Sequence, residues 1–254
     1  MQIEDLIKRL DEIGRSLERS EHALALIGLG SVGLELDRLD PYSDLDFFVI
    51  VEDGYKHTYI DSLQWLSDIH PLVYSFRNTE DGFKLLFEDG IFCEFAVFEN
   101  DELKNISFAP GRIVWKREDV SNTISQPVSK PASHARRAKE WLLGEALTNL
   151  YVGLNRDKRG EKLSATRFIQ GYAVDRCLEL VEHISKAKQA HRDPFVNERR
   201  FEQRFPELAT IVNTWMQGYD RNPESALAIL TFLEQHFEVS EAIARTIRDI
   251  YSAA

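Results

Sequence analysis

The hydrophobic and polar positions change their spacing several times along the chain. Residues 2–19 place apolar side chains at helical spacing with charged residues between them, which predicts an amphipathic helix. Short runs of β-branched, aromatic and apolar residues then predict buried strands over 22–29 and 45–51. A further helix is expected over 54–70, and Asp89-Gly90 indicates a hairpin turn. The other predicted strands are 72–77, 83–87, 91–98 and 112–115.

The second half of the chain has a helical pattern almost to its end. A polar stretch with two prolines, residues 121–133, separates the two halves and has the composition of a linker. We therefore expect an α+β protein with a mixed-sheet domain over 1–120 and an all-helical domain over 134–254. The helices predicted in the second domain are 134–153, 161–189, 197–217, 223–236 and 239–252.

Composition places few other constraints on the class of protein. The chain has 254 residues, of which 43% are hydrophobic, and its longest charge-free stretch covers only residues 22–34. A bilayer span needs roughly 20 apolar residues, so no membrane partner is expected. The first residues lack the pattern of a signal peptide, and two cysteines are too few for a disulfide framework. We expect a soluble cytoplasmic protein.

The charge is distributed unevenly. Residues 1–120 carry 12 lysines and arginines against 25 acids, whereas residues 121–254 carry 19 against 17. An acidic half opposes binding to duplex nucleic acid, which depends on basic residues that neutralise phosphates. It is compatible with a cationic small substrate or with bound metal, although solubility alone also explains such a surplus.

The candidate chemistry begins where the first predicted strand ends. Gly30-Ser31 follows that strand, and the glycine would let a ligand approach the backbone closely. A helix starting there would offer free N–H groups to a phosphate. Asp44 and Asp46 open the next strand and, because strand side chains alternate, lie about 7 Å apart on one face. Such a pair suits a hard divalent cation.

Glu94 is a third acid of interest. It is the lone charge inside an otherwise apolar predicted strand, where a buried carboxylate is costly unless it meets a cation. We expect an antiparallel neighbouring strand to bring Glu94 beside Asp44 and Asp46. The three acids could then hold two Mg²⁺ ions that bridge the phosphates of a nucleotide.

These residues resemble a known superfamily. Gly30-Ser31, followed by PYSDLD at 41–46 before an apolar strand, is similar to the DNA-polymerase-β-type nucleotidyltransferases. The resemblance is closest to the antibiotic-modifying branch, such as the kanamycin and lincosamide enzymes. It implies a mixed-sheet catalytic domain joined to a helical domain. It also implies Mg²⁺-dependent transfer of a nucleoside monophosphate, expected to be AMP, from a nucleoside triphosphate to a hydroxyl of a small molecule.

The resemblance also implies roles for individual residues. Gly30 and Ser31 would bind the triphosphate, and Asp44 and Asp46 would bind metal. Glu94 resembles the glutamate that the lincosamide enzymes use as general base, so it is expected either to complete the metal site or to act as that base.

Three cations are further candidates for nucleotide binding. Arg38 is the only cation near Ser31, where Glu35 occupies a position that is basic in many relatives. Arg159 and Lys162 could reach the triphosphate from the helical domain, or they could be ordinary exposed helix ends. The gap of 13 residues between Ser31 and Asp44 is slightly long for the superfamily and indicates an enlarged loop.

Two alternatives stay open at this point. The pattern Gly28-x-Gly30-x-x-Gly33, with Glu52 downstream, also matches the dinucleotide-binding fingerprint. That fold needs a long helix after the glycines, which Pro41 and the acids around it oppose. A non-catalytic nucleotide-binding or antitoxin-like regulatory module with the same fold is the other alternative. A homodimer is compatible with either.

Overall fold

The computed structural model describes residues 2–128, 137–190, 192–193 and 196–253. The chain divides into two compact units, residues 1–132 and 133–254. The predicted linker ends beside this boundary; its residues 121–128 include a short 3₁₀ turn, and 129–133 lie outside the described residues. None of the helices in the described ranges combines the length and the apolar character needed to cross a membrane.

The first unit is built on a mixed sheet of six strands in the order β3-β4-β5-β2-β1-β6. Only β2 and β5 run parallel, and the other neighbouring pairs are antiparallel. The strands are β1 (Ala23–Gly28), β2 (Leu45–Val51), β3 (Leu72–Arg77), β4 (Gly82–Phe87), β5 (Phe92–Glu99) and β6 (Arg112–Lys116). Each predicted strand is therefore present, and the predicted Asp89-Gly90 turn joins β4 to β5.

Helices cover one face of this sheet. The amphipathic pattern of residues 2–19 forms α1 (Ile3–Glu18), whose Leu6, Leu10 and Ile13 are fully buried against it. The single helix predicted over 54–70 was wrong, because the chain forms two short helices there, α2 (Lys56–Ile60) and α3 (Gln64–Ser67). Their apolar residues complete the same core.

The opposite face of the sheet carries a smaller core and a polar patch. Ile27, Ile50 and Phe98 pack there with residues from the loops that follow β5 and β6. Because side chains alternate along a strand, Leu45 and Phe47 point to the helical side, whereas Asp46 and Phe48 point to this second side. The candidate acids of β2 and β5 are thereby kept out of the main core.

The second unit is helical and has a core of its own. Its helices are α4 (Lys139–Lys158), α5 (Lys162–Thr166), α6 (Val174–Val181), α7 (Phe201–Arg204), α8 (Ala209–Trp215), α9 (Asn222–His236) and α10 (Glu241–Ser252). A π-helical segment, Arg167–Ala173, makes α5 and α6 continuous. Three predicted helices had wrong boundaries. The one expected over 134–153 begins at Lys139 and continues to Lys158, with 134–136 outside the described residues. The one expected over 161–189 ends at Val181, and the one expected over 197–217 is split into α7 and α8.

Candidate active site

A tight glycine turn connects β1 to the loop that leads to β2. Gly30–Val32 forms a single 3₁₀ turn, and the backbone N–H of Leu29 donates to the carbonyl of Asp46 at 2.8 Å. Ser31 is half-buried within this turn. The helix that we considered at this point is absent from residues 29–44, all of which the structure describes. The anion site of a helix N-terminus is therefore not formed, and this segment offers a phosphate the backbone of the turn instead.

Gly30 brings this turn close to the first acid. Its φ is +53°, in the left-handed region that glycine adopts readily. A Cβ placed on Gly30 would lie 3.0 Å from Oδ2 of Asp46. The carboxylate of Asp46 therefore lies directly against the glycine turn. Asp44, two residues earlier, is half-buried at the entrance to β2.

Glu94 lies beside Asp46 in the sheet. The two residues are direct partners in the parallel pairing of β2 with β5, so both side chains project from the same face. We expected Glu94 to lie on a strand antiparallel to β2. This was wrong, because β5 runs parallel to β2. The proximity of Glu94 to Asp46 is nevertheless present, because partners on adjacent strands lie only about 5 Å apart.

The carboxylate of Glu94 has a partner on each oxygen. On its other side in the sheet Glu94 pairs with Lys84 of β4, whose Nζ lies 3.0 Å from Oε2. Nδ2 of Asn78, at the end of β3, donates to Oε1 at 3.3 Å. The charges of Lys84, Glu94 and Asp46 thus form a row across three adjacent strands, ending at the glycine turn.

A cavity of about 410 Å³ opens over this row. Phe48 and Phe98 give it an apolar side, and they pack edge to face at 5.0 Å. Three carboxylates contribute to its polar side, and two of them are paired with lysines: Glu94 with Lys84, and Asp81 with Lys56 at 2.6 Å. Its lining consists of Leu29, Asp46, Phe47, Phe48, Asn78, Thr79, Asp81, Gly82, Glu94, Phe95, Ala96 and Phe98.

The acids do not by themselves form a complete metal cage. Across the described residues, no three His, Cys, Asp or Glu side chains are grouped closely enough to hold a metal ion. The predicted three-acid site of Asp44, Asp46 and Glu94 is therefore not assembled in this conformation, in which Glu94 is engaged by Lys84 and Asn78. Asp44 and Asp46 supply the type of donor that Mg²⁺ takes, because Mg²⁺ usually binds one or two protein carboxylates and fills its other positions with phosphate and water.

Comparisons with known proteins leave the family open. No protein-family model matches the sequence, and a search of curated proteins gave no match. Among solved structures, the chain is similar to an aminoglycoside 6-adenyltransferase from Bacillus subtilis. The two are 13% identical, with 95% of this chain and 97% of that chain covered, and the TM-score is 0.41. A likeness this weak assigns neither activity nor substrate.

The predicted nucleotide-binding cations are placed as follows. Arg38 forms an ion pair with Glu35 on the loop after the glycine turn. Arg159 is exposed at the C-terminal end of α4. Lys162 is also exposed; it pairs with Asp220 at 2.8 Å, and this hydrogen bond raises the pKa of the lysine. Arg159 and Lys162 belong to the second unit, so their roles stay predictions.

Lys84 and Asn78 are the functional candidates that sequence analysis missed. Lys84 stands alone in an amphipathic strand, which is the usual composition of a solvated sheet face. A signal was nevertheless present in the Asp89-Gly90 turn, because a hairpin turn fixes which residues of its two strands face each other. Counting back from a three-residue loop at 88–90 pairs Lys84 with Glu94.

The dinucleotide-binding alternative is excluded by the topology. A dinucleotide-binding βαβ unit needs parallel strands, whereas β1 and β2 are antiparallel and only 3₁₀ turns connect them. Close packing explains two of the glycines, because a Cβ on Gly28 would approach the Val32 carbonyl to 2.5 Å and one on Gly33 would meet the Gly28 carbonyl. Glu52 is bonded to His22 and Arg117, and these hydrogen bonds lower the pKa of the glutamate.

The two cysteines are not nucleophiles. Cys93 and Cys177 are both fully buried, in the first and second unit respectively. Burial raises the pKa of both thiols far above its usual range. Both residues therefore act as small apolar side chains.

Proposed function

We propose that this protein is a Mg²⁺-dependent nucleotidyltransferase that moves a nucleoside monophosphate from a nucleoside triphosphate to a hydroxyl of a small molecule. AMP is our working choice of nucleotide. The observation that carries the proposal is the pairing of Asp46 with Glu94 on adjacent parallel strands, beside the glycine turn and facing an open cavity. The motif resemblance of residues 28–51 supports the same chemistry.

The acceptor that we propose is an aminoglycoside or lincosamide antibiotic. The carboxylates of Asp46, Asp81 and Glu94 line the cavity, and an amino sugar would be attracted by Asp46 and could share Asp81 and Glu94 with the lysines that pair with them. The aromatic side, formed by Phe48 and Phe98, would pack against the apolar parts of its rings. Duplex nucleic acid is not proposed as a partner.

Each residue is assigned one task. The Gly30-Ser31 turn contacts the triphosphate, and Asp44 and Asp46 hold Mg²⁺, which when bound neutralises charge on the phosphates. Glu94 takes the proton of the acceptor hydroxyl while the oxygen of that hydroxyl attacks the α-phosphorus. The new P–O bond forms while the bond to pyrophosphate breaks, and pyrophosphate leaves. A positioned general base of this kind contributes about 10²–10⁴-fold to the rate.

The substitution Asp46→Asn tests the proposal. It keeps the size of the side chain but removes the charge beside Gly30, so we expect pyrophosphate release from ATP, Mg²⁺ and an aminoglycoside to fall by about 100-fold or more. Asp53→Asn is the matched control, because Asp53 is an exposed acid beyond the end of β2, and its rate should stay within about two-fold of wild type. Equal rates for Asp46→Asn and wild type would exclude the assignment.

A non-catalytic nucleotide-binding or antitoxin-like module is the second candidate. Two observations favour it: Arg38 is neutralised by Glu35, and both oxygens of Glu94 are occupied within the protein. This candidate predicts binding without turnover. ATP with Mg²⁺ at 100 times Kd should then add about 2.7 kcal/mol to the free energy of unfolding, with no pyrophosphate released for any acceptor.

We take a homodimer as the hypothesis for the oligomeric state. Multi-angle light scattering decides it directly, since the mass of one chain is 29.3 kDa. The catalytic proposal does not depend on the result.

A further inference from the structure

Glu94 is held by two groups from a different part of the sheet than the other acids. Lys84 and Asn78 both belong to the β3–β4 hairpin, whereas Asp44 and Asp46 belong to β2. Lys84 binds Oε2 and Asn78 binds Oε1, so both the position and the rotation of the carboxylate are fixed. The hairpin holds Glu94 on the side of the row away from the glycine turn.

The charges of Lys84, Glu94 and Asp46 explain why the carboxylate of Glu94 needs the contacts with Lys84 and Asn78. Asp46 and Glu94 are like charges at directly opposed positions of neighbouring strands, an arrangement that is destabilising by itself. Lys84 is the cation directly opposite Glu94 on its other side, and it offsets that repulsion. Its attraction acts on the carboxylate of Glu94 from the β4 side, which is the side opposite Asp46.

Asn78 adds a second, directional contact. Its Nδ2 faces Glu94, while its Oδ1 is buried and receives no hydrogen bond from any described residue. The reverse orientation of the amide would bring its oxygen against the carboxylate of Glu94. Asn78 therefore donates to Glu94 although its own carbonyl oxygen is left buried without a hydrogen bond among the described residues, which is costly for a polar atom.

From these contacts we propose that Lys84 and Asn78 are positioning residues, which reserve Glu94 for the acceptor hydroxyl and keep it out of the metal site. The inference rests on the proposed function and divides the acids into two groups. Asp44 and Asp46 bind the cation. Glu94, which the hairpin orients, takes the proton of the acceptor hydroxyl. The absence of a three-acid group among the described residues agrees with this division.

The first experiment tests the division without any turnover. Mn²⁺ binding to the protein, measured by electron paramagnetic resonance without nucleotide, should weaken about tenfold or more in Asp46→Asn. Glu94→Gln should bind Mn²⁺ within about two-fold of wild type, although it loses nucleotide transfer. A loss of Mn²⁺ affinity in Glu94→Gln equal to that in Asp46→Asn would overturn the proposal, because Glu94 would then be a metal ligand.

The second experiment tests positioning. Lys84→Met should lower the single-turnover rate of transfer about tenfold or more and leave KM for the nucleoside triphosphate within about two-fold, since Lys84 acts on Glu94 alone. Lys84→Arg keeps the ion pair and should restore most of the rate. Asn78→Ala should lower the rate in the same way. Lys104→Met replaces an exposed lysine that pairs with Asp101; it is the matched control and should leave the rate unchanged.

Melting temperatures of all variants separate these effects from misfolding, and Lys84→Gln replaces Lys84→Met if the latter does not fold. Equal rates for Lys84→Met and Lys104→Met would overturn the positioning role. So would a Lys84→Arg variant as slow as Lys84→Met. If wild type itself releases no pyrophosphate with any acceptor, the proposed function fails. This result is distinct from the two outcomes that would overturn the positioning role of Lys84, since both of those require an active wild type.

Discussion

Gly30 combines a left-handed backbone with the closest approach of the turn to a carboxylate. Its φ of +53° is unfavourable for any residue with a Cβ, and Oδ2 of Asp46 lies where that Cβ would need room. The glycine is therefore required both by the turn and by the acid next to it. Residues of this kind link local geometry to the chemistry of the site.

We expect Gly30→Ala to lower the free energy of unfolding by about 1–2 kcal/mol, because alanine pays the left-handed penalty. Gly144→Ala is the matched control: Gly144 lies in the exposed part of α4, where a Cβ meets nothing within 4 Å. That variant should gain about 0.5–1 kcal/mol from helix propensity. Urea unfolding measures both, and a stabilised Gly30→Ala variant would contradict the described turn.

Asp175 lowers the stability of the folded protein by an amount that depends on pH. Burial raises the pKa of this carboxyl, and Glu198 and Glu179 add to the shift, while Arg176 opposes it. Because the pKa of Asp175 is higher in the folded protein than in the unfolded chain, the protein is most stable below the pKa of the unfolded chain. That stability is lost as the pH rises through the pKa of Asp175 in the folded protein. Asp175→Asn should therefore melt at a higher temperature than wild type at pH 7, with the difference narrowing towards pH 4. A constant difference across that range would refute the explanation.

Among the elements, the π-helical segment and α9 are joined by a buried polar network. Asn222 is fully buried, and its Oδ1 accepts from Nε2 of Gln170 at 2.8 Å. Its Nδ2 donates to Asp157 at 3.2 Å, and Gln170 in turn accepts from the backbone N–H of Gly218. The network satisfies polar groups from three helical elements and the loop before α9.

Asn222→Ala should destabilise the protein by about 1–3 kcal/mol, because it removes one hydrogen bond from the buried amide of Gln170, which keeps its bonds to Gly218, and one from the carboxylate of Asp157. Asn155→Ala is the control, since Asn155 bonds only a carbonyl of its own helix, and a change of at most about 0.5 kcal/mol is expected. Chemical denaturation followed by circular dichroism gives both values. Equal losses would show that the network adds nothing beyond helix packing.

At the scale of the whole molecule, the two units have separate cores. The helical core, which includes Leu150, contains only residues of the second unit, and the two cores on either side of the sheet contain only residues of the first. The acidic surplus also lies in the first part of the chain, which carries the cavity. Each unit therefore has its own hydrophobic core, and the excess of acidic residues lies in the first part of the chain.

Leu150→Ala should cost about 2–5 kcal/mol of the stability of the second unit, because Leu150 is fully buried in α4. Amide hydrogen exchange in β1 and β2 should stay as in wild type. Leu163→Ala, a leucine that is 69% exposed, is the control and should change stability by at most about 0.5 kcal/mol. Faster exchange in β1 on Leu150→Ala would show that the two units unfold together.

The sequence alone determined which segments form strands and which residues have candidate chemistry. Short runs of β-branched, aromatic and apolar residues are a local signal, so β2 and β3 were located to the residue. Asp44 and Asp46 were recognised by their spacing at the start of a strand, and Glu94 as the lone charge in an apolar strand. Tertiary structure decided the direction of β5 beside β2 and the partners of Glu94. It also split the predicted helices at 54–70 and 197–217. The direction of β5 beside β2 depends on long-range packing and chain connection, which no local pattern specifies, so the pairing of Glu94 with Asp46 became visible only in the fold. The pairing of Lys84 with Glu94 follows from the hairpin turn and was available in the sequence.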